Sequence, residues 1–507
     1  MQSLKKCRRG FEVWESEQKY VNYKTMSKKS ICKNYIYNVG YQLLLLVVPL
    51  VTTPYISRVL GPEGIGVYSY TTSIASYFVI FAVLGTATFG QREIAYQQQE
   101  PEKRSIIFWE IVILRTLLTL IMTSVYLVYA IKSSHVGISM AQCFYLLSVA
   151  TDISWFFQGL EEFRRIVIRN IILKCFNIAF IFLLVKKEED LLLYVFGMTI
   201  LPFIGNLLLW KGINKFLVPV RWKELKPFKN VKECLILFIP GIAMQIYTVL
   251  DKTMIGLFTS VGEENGYYEQ AQKIVQLCLN IITSLGVVMV PRIAFNYSQK
   301  NKELISYYMY RSYRFVFFLG IPFMLGLIAV SDMIVPWFFG EEFTKVVPLL
   351  KIFSVLFLSI GLNNVTGVQY LIPTKRQKVF TITVIMGAVV NLAMNLLLIP
   401  EYLSLGAASA SVAAETVIAI AQFIYLIYIE KTFKGSKIFV PSIPYWFSGV
   451  IMFVVINVVK ANMQPTIMNT VVTVSVGGIV YLGILLFLKD SFLLDGLEKV
   501  LNRIKGK

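Results

Sequence analysis

The stretch IPGIAMQIYTVLDKTMIG, Ile239 to Gly256, decides how this chain must be read. It is long and apolar enough to cross a bilayer, has a proline near its start, and carries two adjacent charged residues, Asp251 and Lys252, which point in different directions and need other partners, toward its end. An ionised side chain at the bilayer centre costs roughly 2.5–3.5 kcal/mol on insertion scales. A spanning helix that keeps two is therefore expected to face a protein interior or a wet cavity, and function is expected where that cavity lies.

The rest of the chain extends the same reading. Of 507 residues, 56% are hydrophobic and 16% charged, with mean hydropathy +0.63, values that point to a polytopic membrane protein rather than a water-soluble one. Apolar runs recur from near residue 45 to near residue 478. Each is long enough to cross about 30 Å of hydrocarbon at about 1.5 Å per residue. The fold class expected is all-α, with about fourteen transmembrane helices; the alternation a β-barrel needs is absent. Residues 1–33 read as a basic cytoplasmic tail, 34–210 as a lobe of six helices, 211–231 as a cytoplasmic linker, 232–430 as a second six-helix lobe, 431–488 as two added helices and 489–507 as an amphipathic tail. Met26 is an alternative start, which would leave residues 1–25 outside the native protein.

Most of the 49 Lys and Arg fall in alternate connections. By the positive-inside rule both termini are expected in the cytoplasm, here of a bacterial cytoplasmic membrane. The net charge of +19 then reflects a basic inner face against anionic lipid and requires no nucleic acid. In the tail, Leu493, Leu497, Val500, Leu501 and Ile504 stand at helical spacing opposite Lys499, Arg503 and Lys505, the pattern of a helix lying on the inner surface.

An internal repeat supports two lobes. GVYSYTTSI, Gly66 to Ile74, returns two hundred residues later as GYYEQAQKI, Gly266 to Ile274, each after a span with an early proline, Pro49 or Pro240, and then a tyrosine and a cation, Tyr55 and Arg58 or Tyr247 and Lys252. Both copies enter from the same side, so the lobes are expected to form a parallel pseudo-twofold repeat with a substrate site between them near mid-membrane.

These residues carry a resemblance. Pro54 to Ala95, PYISRVLGPEGIGVYSYTTSIASYFVIFAVLGTATFGQREIA, resembles the first two helices of the Wzx-type polysaccharide flippases, and Asp152 to Lys174, DISWFFQGLEEFRRIVIRNIILK, resembles their fourth and fifth. LDKTMIG, Phe339 to Ile352 (FGEEFTKVVPLLKI) and Leu405 to Glu415 (LGAASASVAAE) are also similar to that family. The resemblance implies the fold of the multidrug/oligosaccharidyl-lipid/polysaccharide exporter superfamily. It also implies the activity: moving undecaprenyl-pyrophosphate-linked oligosaccharide from the inner to the outer leaflet for surface polysaccharide biosynthesis. Membrane lipids, a polymerase and glycosyltransferases would be its partners.

A pyrophosphate headgroup crossing a low-dielectric slab needs fixed cations, and the spans supply Arg115, Lys174, Lys252, Lys273 and Lys351, with Arg58 at the outer end of the first helix. Arg would grip phosphate as a fork and Lys as a point charge. The same cations could instead pair with Asp152, Asp251, Glu269 and Glu415; Glu269 and Lys273 stand four apart on one face. Asp152, Asp251 and Glu415 are candidate ion-coupling carboxylates, with structural pairing as the alternative. Trp155 and Gln158 beside Asp152 suit sugar contact, or else an interfacial belt. Tyr247, Asn363, Asn364 and Gln369 add polar and aromatic groups in later spans. Bends at Pro49, Pro240 and Pro322 would serve alternating access.

Enzymatic readings fare poorly. The single His135 precludes a histidine cluster, the six cysteines lack CxxC spacing, and no GxxxxGK[ST] loop is present, so no metal, cofactor or ATP site of those kinds is implied. A cation-coupled multidrug exporter of the same superfamily would favour acids in its cavity. An integral glycosyltransferase or polymerase would be expected to carry a large outer loop, and the outer loops here are short.

Overall fold

The computed structural model describes residues 47–259 and 262–504, without the side chains of 239–248, 499–501 and 503–504. The expectations for residues 1–46, Pro240, Tyr247, Lys499, Val500, Leu501, Arg503, Ile504 and Lys505 therefore lie outside what it describes.

Among the described residues the chain is helical. Eleven helices are long and apolar enough to cross a membrane; two of them contain a reversal, at Gly61 and Leu403, and the helix Val231–Phe258 is additional, giving fourteen passes. In chain order these are α1 (47–60), α2 (62–96), α3 (Pro101–Lys132), α4 (Val136–Gly159), α5 (Phe163–Leu184) and α6 (Leu191–Trp210). The second set is α7 (Val231–Phe258), α8 (Glu263–Ser298), α9 (Lys302–Phe338), α10 (Val346–Leu371), α11 (377–402), α12 (404–429), α13 (Gly435–Lys460) and α14 (Ile467–Phe487). The amphipathic α15 (Ser491–Ile504) follows.

Local chemistry sets the boundaries. Gly61 turns α1 into α2 at φ 62°, a left-handed conformation that a Cβ penalises. Pro101 opens α3 in its first turn, where its missing N–H costs no helical bond. The Asn301 side chain accepts the Leu304 amide at 3.1 Å and starts α9. Pro322 and Pro336 lie inside α9, which runs on through both.

Two ends of the bundle differ. At the end holding the linker, Phe89, Phe108, Trp155, Phe156, Phe157 and Cys234 form a buried cluster. The linker is strapped to α3: Arg104 donates to the Phe216 carbonyl at 2.6 Å, Ser105 Oγ accepts from Val218 N at 2.9 Å and Glu110 accepts from Lys226 N at 2.9 Å. At the opposite end, which holds the α1–α2 turn, a larger core joins Ile56, Leu60, Ile65 and Tyr194 of the first six helices to Met254, Tyr268 and Phe339 of the second set. There α2 meets α8 backbone to backbone. A Cβ on Gly66 would stand 2.0 Å from the Gly262 carbonyl oxygen, and one on Gly266 would stand 2.0 Å from that of Pro62. The two contacts map onto each other by the two-hundred-residue offset of the repeat. The tail is held by Asp490, which pairs with Arg314 of α9 at 2.8 Å and accepts from Tyr445 of α13.

Candidate functional site

Between the two sets of helices lies a cavity of about 350 Å³. Thr52 and Thr53 of α1, Lys174 and Asn177 of α5, Tyr194 of α6, and Lys273, Gln276 and Asn280 of α8 supply its polar lining, and none of its lining residues is acidic. Helical spacing explains the convergence: 174 and 177, and 273, 276 and 280, each fall on one face. Lys174 lies ten residues before the end of α5, and Lys273 ten residues after the start of α8. At about 1.5 Å per residue both ammonium stems start about 15 Å in, half-way through a hydrocarbon slab.

The two lysines differ in what holds them. Lys174 is half-buried and makes no ion pair among the described residues. Lys273 stands 3.6 Å from Glu269, whose other oxygen takes Lys252 at 2.7 Å and the Ser69 hydroxyl of α2 at 2.8 Å. Asp251 and Lys252, neighbours in sequence, thus find separate partners. Asp251 is buried and receives only neutral donors: Asn391 at 3.0 Å, Asn395 and Tyr268 at 2.6 Å, and Ser411. Four donors on one carboxylate offset the cost of burying it. Asp251 and Glu415 share a chamber of about 110 Å³ with Gln276, which also lines the larger cavity, so α8 is the wall between them. Asn363 donates to Glu415 at 2.5 Å.

In the first six helices the apolar run of α4 breaks at Asp152, whose backbone is extended and whose carboxylate accepts the Ser154 amide at 2.9 Å. Its other oxygen is 3.6 Å from Arg115, a guanidinium with only 5% side-chain exposure; Arg115 Nε and Nη1 meet no protein acceptor among the described residues. Arg169 of α5, absent from the candidates read in the sequence, joins this cluster by donating to Ser154 Oγ at 2.8 Å and to Asn206.

The remaining candidates lie apart from the cavity. Lys351 is exposed near the start of α10, and Arg58, also exposed, donates to the Trp337 carbonyl, bridging α1 to α9 at the end closed by Gly66. Trp155 is 2% exposed and stacks on Phe108, so it packs core instead of lining a wall; Gln158 is half-buried one turn on. An apolar groove of about 240 Å³ lies between α8, α9, α13 and α14, lined by Cys278, Pro322, Phe323 and Met452 among others.

Known proteins place this architecture. The polysaccharide biosynthesis protein family profile matches residues 31–296. A chain of Escherichia coli (strain K12) named as an O-antigen transporter is 24% identical over 405 residues, covering 77% of this chain and 95% of that one. Among solved structures, the lipid II flippase MurJ in an inward closed conformation aligns with TM-score 0.71 at 17% identity over 90% of this chain and 99% of its own. An inward-facing multidrug resistance MATE family transporter aligns with TM-score 0.61 at 13% identity, over 77% and 95%. With the family profile covering more than half the chain, the protein belongs to the polysaccharide biosynthesis protein family, and it shares its fold with these two solved transporters.

Proposed function

We propose that the chain carries an undecaprenyl-pyrophosphate-linked oligosaccharide from the inner to the outer leaflet by alternating access, for later use by a polymerase. The observation that carries this reading is the pair Lys174 and Lys273 at mid-depth on a cavity wall without acids. Such a wall favours an anion over the hydrophobic cations a drug exporter would take. Each unit-charge contact at 4 Å is worth about 4 kcal/mol at an effective dielectric of about 20, so two lysines offset much of the cost of drying a diphosphate. Thr52, Asn177, Gln276 and Asn280 supply neutral donors to phosphate or sugar, and the groove between α9, α13 and α14 suits a polyprenyl chain. The relative named for O-antigen transport agrees with a lipid-linked glycan as cargo.

In this scheme the two six-helix groups rock as lobes, the linker end faces the cytoplasm by its positive charge, and the Gly66–Gly266 contact closes the outer side. Asp251 and Glu415, one helix wall from the cargo, are the proposed ion-coupling pair; Asp152 serves as the partner of Arg115. The test is transport of a short-chain polyprenyl-pyrophosphate disaccharide into proteoliposomes, together with the lipid-bound structure. Phosphorus within about 4 Å of Lys174 or Lys273 is expected, the reach of a direct ion pair. Phosphorus bound elsewhere, or transport of hydrophobic cations in place of the lipid, would defeat the reading.

A further inference from the structure

Glu269 contacts Lys273, which lines the cargo cavity, and it plays no part in the transport scheme above. It lies on α8 one turn before Lys273 and is half-buried, with 12% side-chain exposure. Its two oxygens serve two lysines of the second helix set and a hydroxyl of the first: Lys252 at 2.7 Å, Lys273 at 3.6 Å and Ser69 at 2.8 Å. Ser69 and Glu269 are equivalent positions of the repeat. Each stands three residues beyond the glycine, Gly66 or Gly266, whose backbone makes the tight contact between α2 and α8.

The charges make this arrangement conditional. Lys273 has one stem and one ammonium, shared between Glu269 and the cavity it lines. An anion that Lys174 and Lys273 hold together draws Lys273 from Glu269 and sets a like charge beside that carboxylate. A carboxylate that loses one cation and gains an anionic neighbour is held less firmly at its site, and of its two remaining bonds, to Lys252 and to Ser69, the one to Ser69 is the one that crosses the two helix sets. The hydroxyl–carboxylate bond is of the strong, charge-assisted kind, so its loss weakens the closure where backbones touch with no side chain to spare.

Resting on the pyrophosphate reading of the cavity, we propose that Glu269 is a resident counter-anion that stands in for the cargo's diphosphate in the empty carrier. Its displacement by the cargo unlatches the Gly66–Gly266 closure. Cargo entry and opening of the far side are then one event, read through a single carboxylate.

The test uses the full chain with its six native cysteines replaced and new ones at Glu63 and Glu342, both exposed at the closed end, where Glu342 lies 3.7 Å from the Cβ position of Gly61. The rate of cross-linking by a short bis-maleimide reports the closed fraction. E269Q and, with the lysine pairs left intact, S69A should each lower the closed-to-open ratio by roughly tenfold or more, the scale of one charge-assisted bond. Undecaprenyl pyrophosphate should do the same to the unsubstituted latch, undecaprenol should not, and the lipid should change nothing further in E269Q. Equal cross-linking with and without E269Q and S69A, or bound lipid that leaves cross-linking unchanged, would overturn the latch. Failure of the lipid to bind at all would remove the substrate reading, and the displacement step with it.

Discussion

Replacing Lys174 by Met is the sharpest probe of the cavity, because binding and folding should respond in opposite ways. Lys174 is half-buried on the cavity wall and makes no ion pair among the described residues. In the folded protein its removal forfeits no partner, so thermal stability should stay within about 0.5 kcal/mol of the starting protein or rise. For a bound diphosphate the bare Coulomb value of about 4 kcal/mol at 4 Å is an upper limit. Water competition reduces a hydrogen bond to a charged group to about 1.5–3 kcal/mol. At 1.4 kcal/mol per factor of ten, affinity for undecaprenyl pyrophosphate should fall about 10- to 150-fold, and transport with it. Binding by native mass spectrometry, flipping in proteoliposomes and thermal unfolding in detergent measure the three quantities on one preparation. Unchanged binding and transport in K174M, or lost transport that merely tracks lost stability, would refute the reasoning.

Other outcomes follow from single contacts. D152N leaves the buried Arg115 without its carboxylate at 3.6 Å; stability should drop by about 1–3 kcal/mol, and R115M/D152N should recover part of it in a double-mutant cycle read by thermal unfolding. D251N turns an acceptor into a donor facing Asn391, Asn395, Tyr268 and Ser411; transport should lose its dependence on the coupling ion, and dependence on a proton or sodium gradient retained at the parent's level would exclude Asp251 from coupling. Lys345, between α9 and α10, is held above its ordinary 10.5 by its hydrogen bond to Glu264. A raised lysine contributes below its unfolded value and loses that contribution as pH rises through the folded one. The stability difference between K345Q and the parent should therefore be flat through neutral pH and vanish only in strong alkali.

What the sequence made legible was whatever hydropathy and offset encode. Fourteen passes and the repeat are carried by apolar length and the recurrence of GVYSYTTSI as GYYEQAQKI. What it hid was azimuth and partner choice. Lys351 counts as a cation inside an apolar run, yet the face it occupies is exposed, and hydropathy has no term for that. Arg169 follows Arg164 and Arg165 and reads in sequence as part of an inner basic loop, whereas α5 already begins at Phe163. The break of α4 at Asp152 lies in a run that stays apolar on both sides, so only the side chain's bond to Ser154 reveals it. Asn391 and Asn395 carried a usable signal: two amides four apart on an apolar helix share one face and need a buried partner, which is Asp251.

The repeat also fixes something that composition cannot. Equivalent helices related by a twofold axis meet their counterparts only close to that axis, so residues two hundred apart that touch mark where it runs. Gly66 against Gly262, Gly266 against Pro62, and Ser69 against Glu269 all obey that offset to within four residues. Symmetry then makes a quantitative demand. A methyl added at Gly66 or at Gly266 meets a carbonyl oxygen at 2.0 Å in either case, and no rotamer relieves a clash between Cβ and backbone. G66A and G266A should therefore open this end to the same degree, both lowering E63C/E342C cross-linking. G262A is the control on the same contact: a Cβ there meets nothing within 4 Å, and its cross-linking should match the parent. Unequal losses in G66A and G266A would mean that the two halves bear the closure differently, and a loss in G262A as large as theirs would mean that the contact is not what holds it shut.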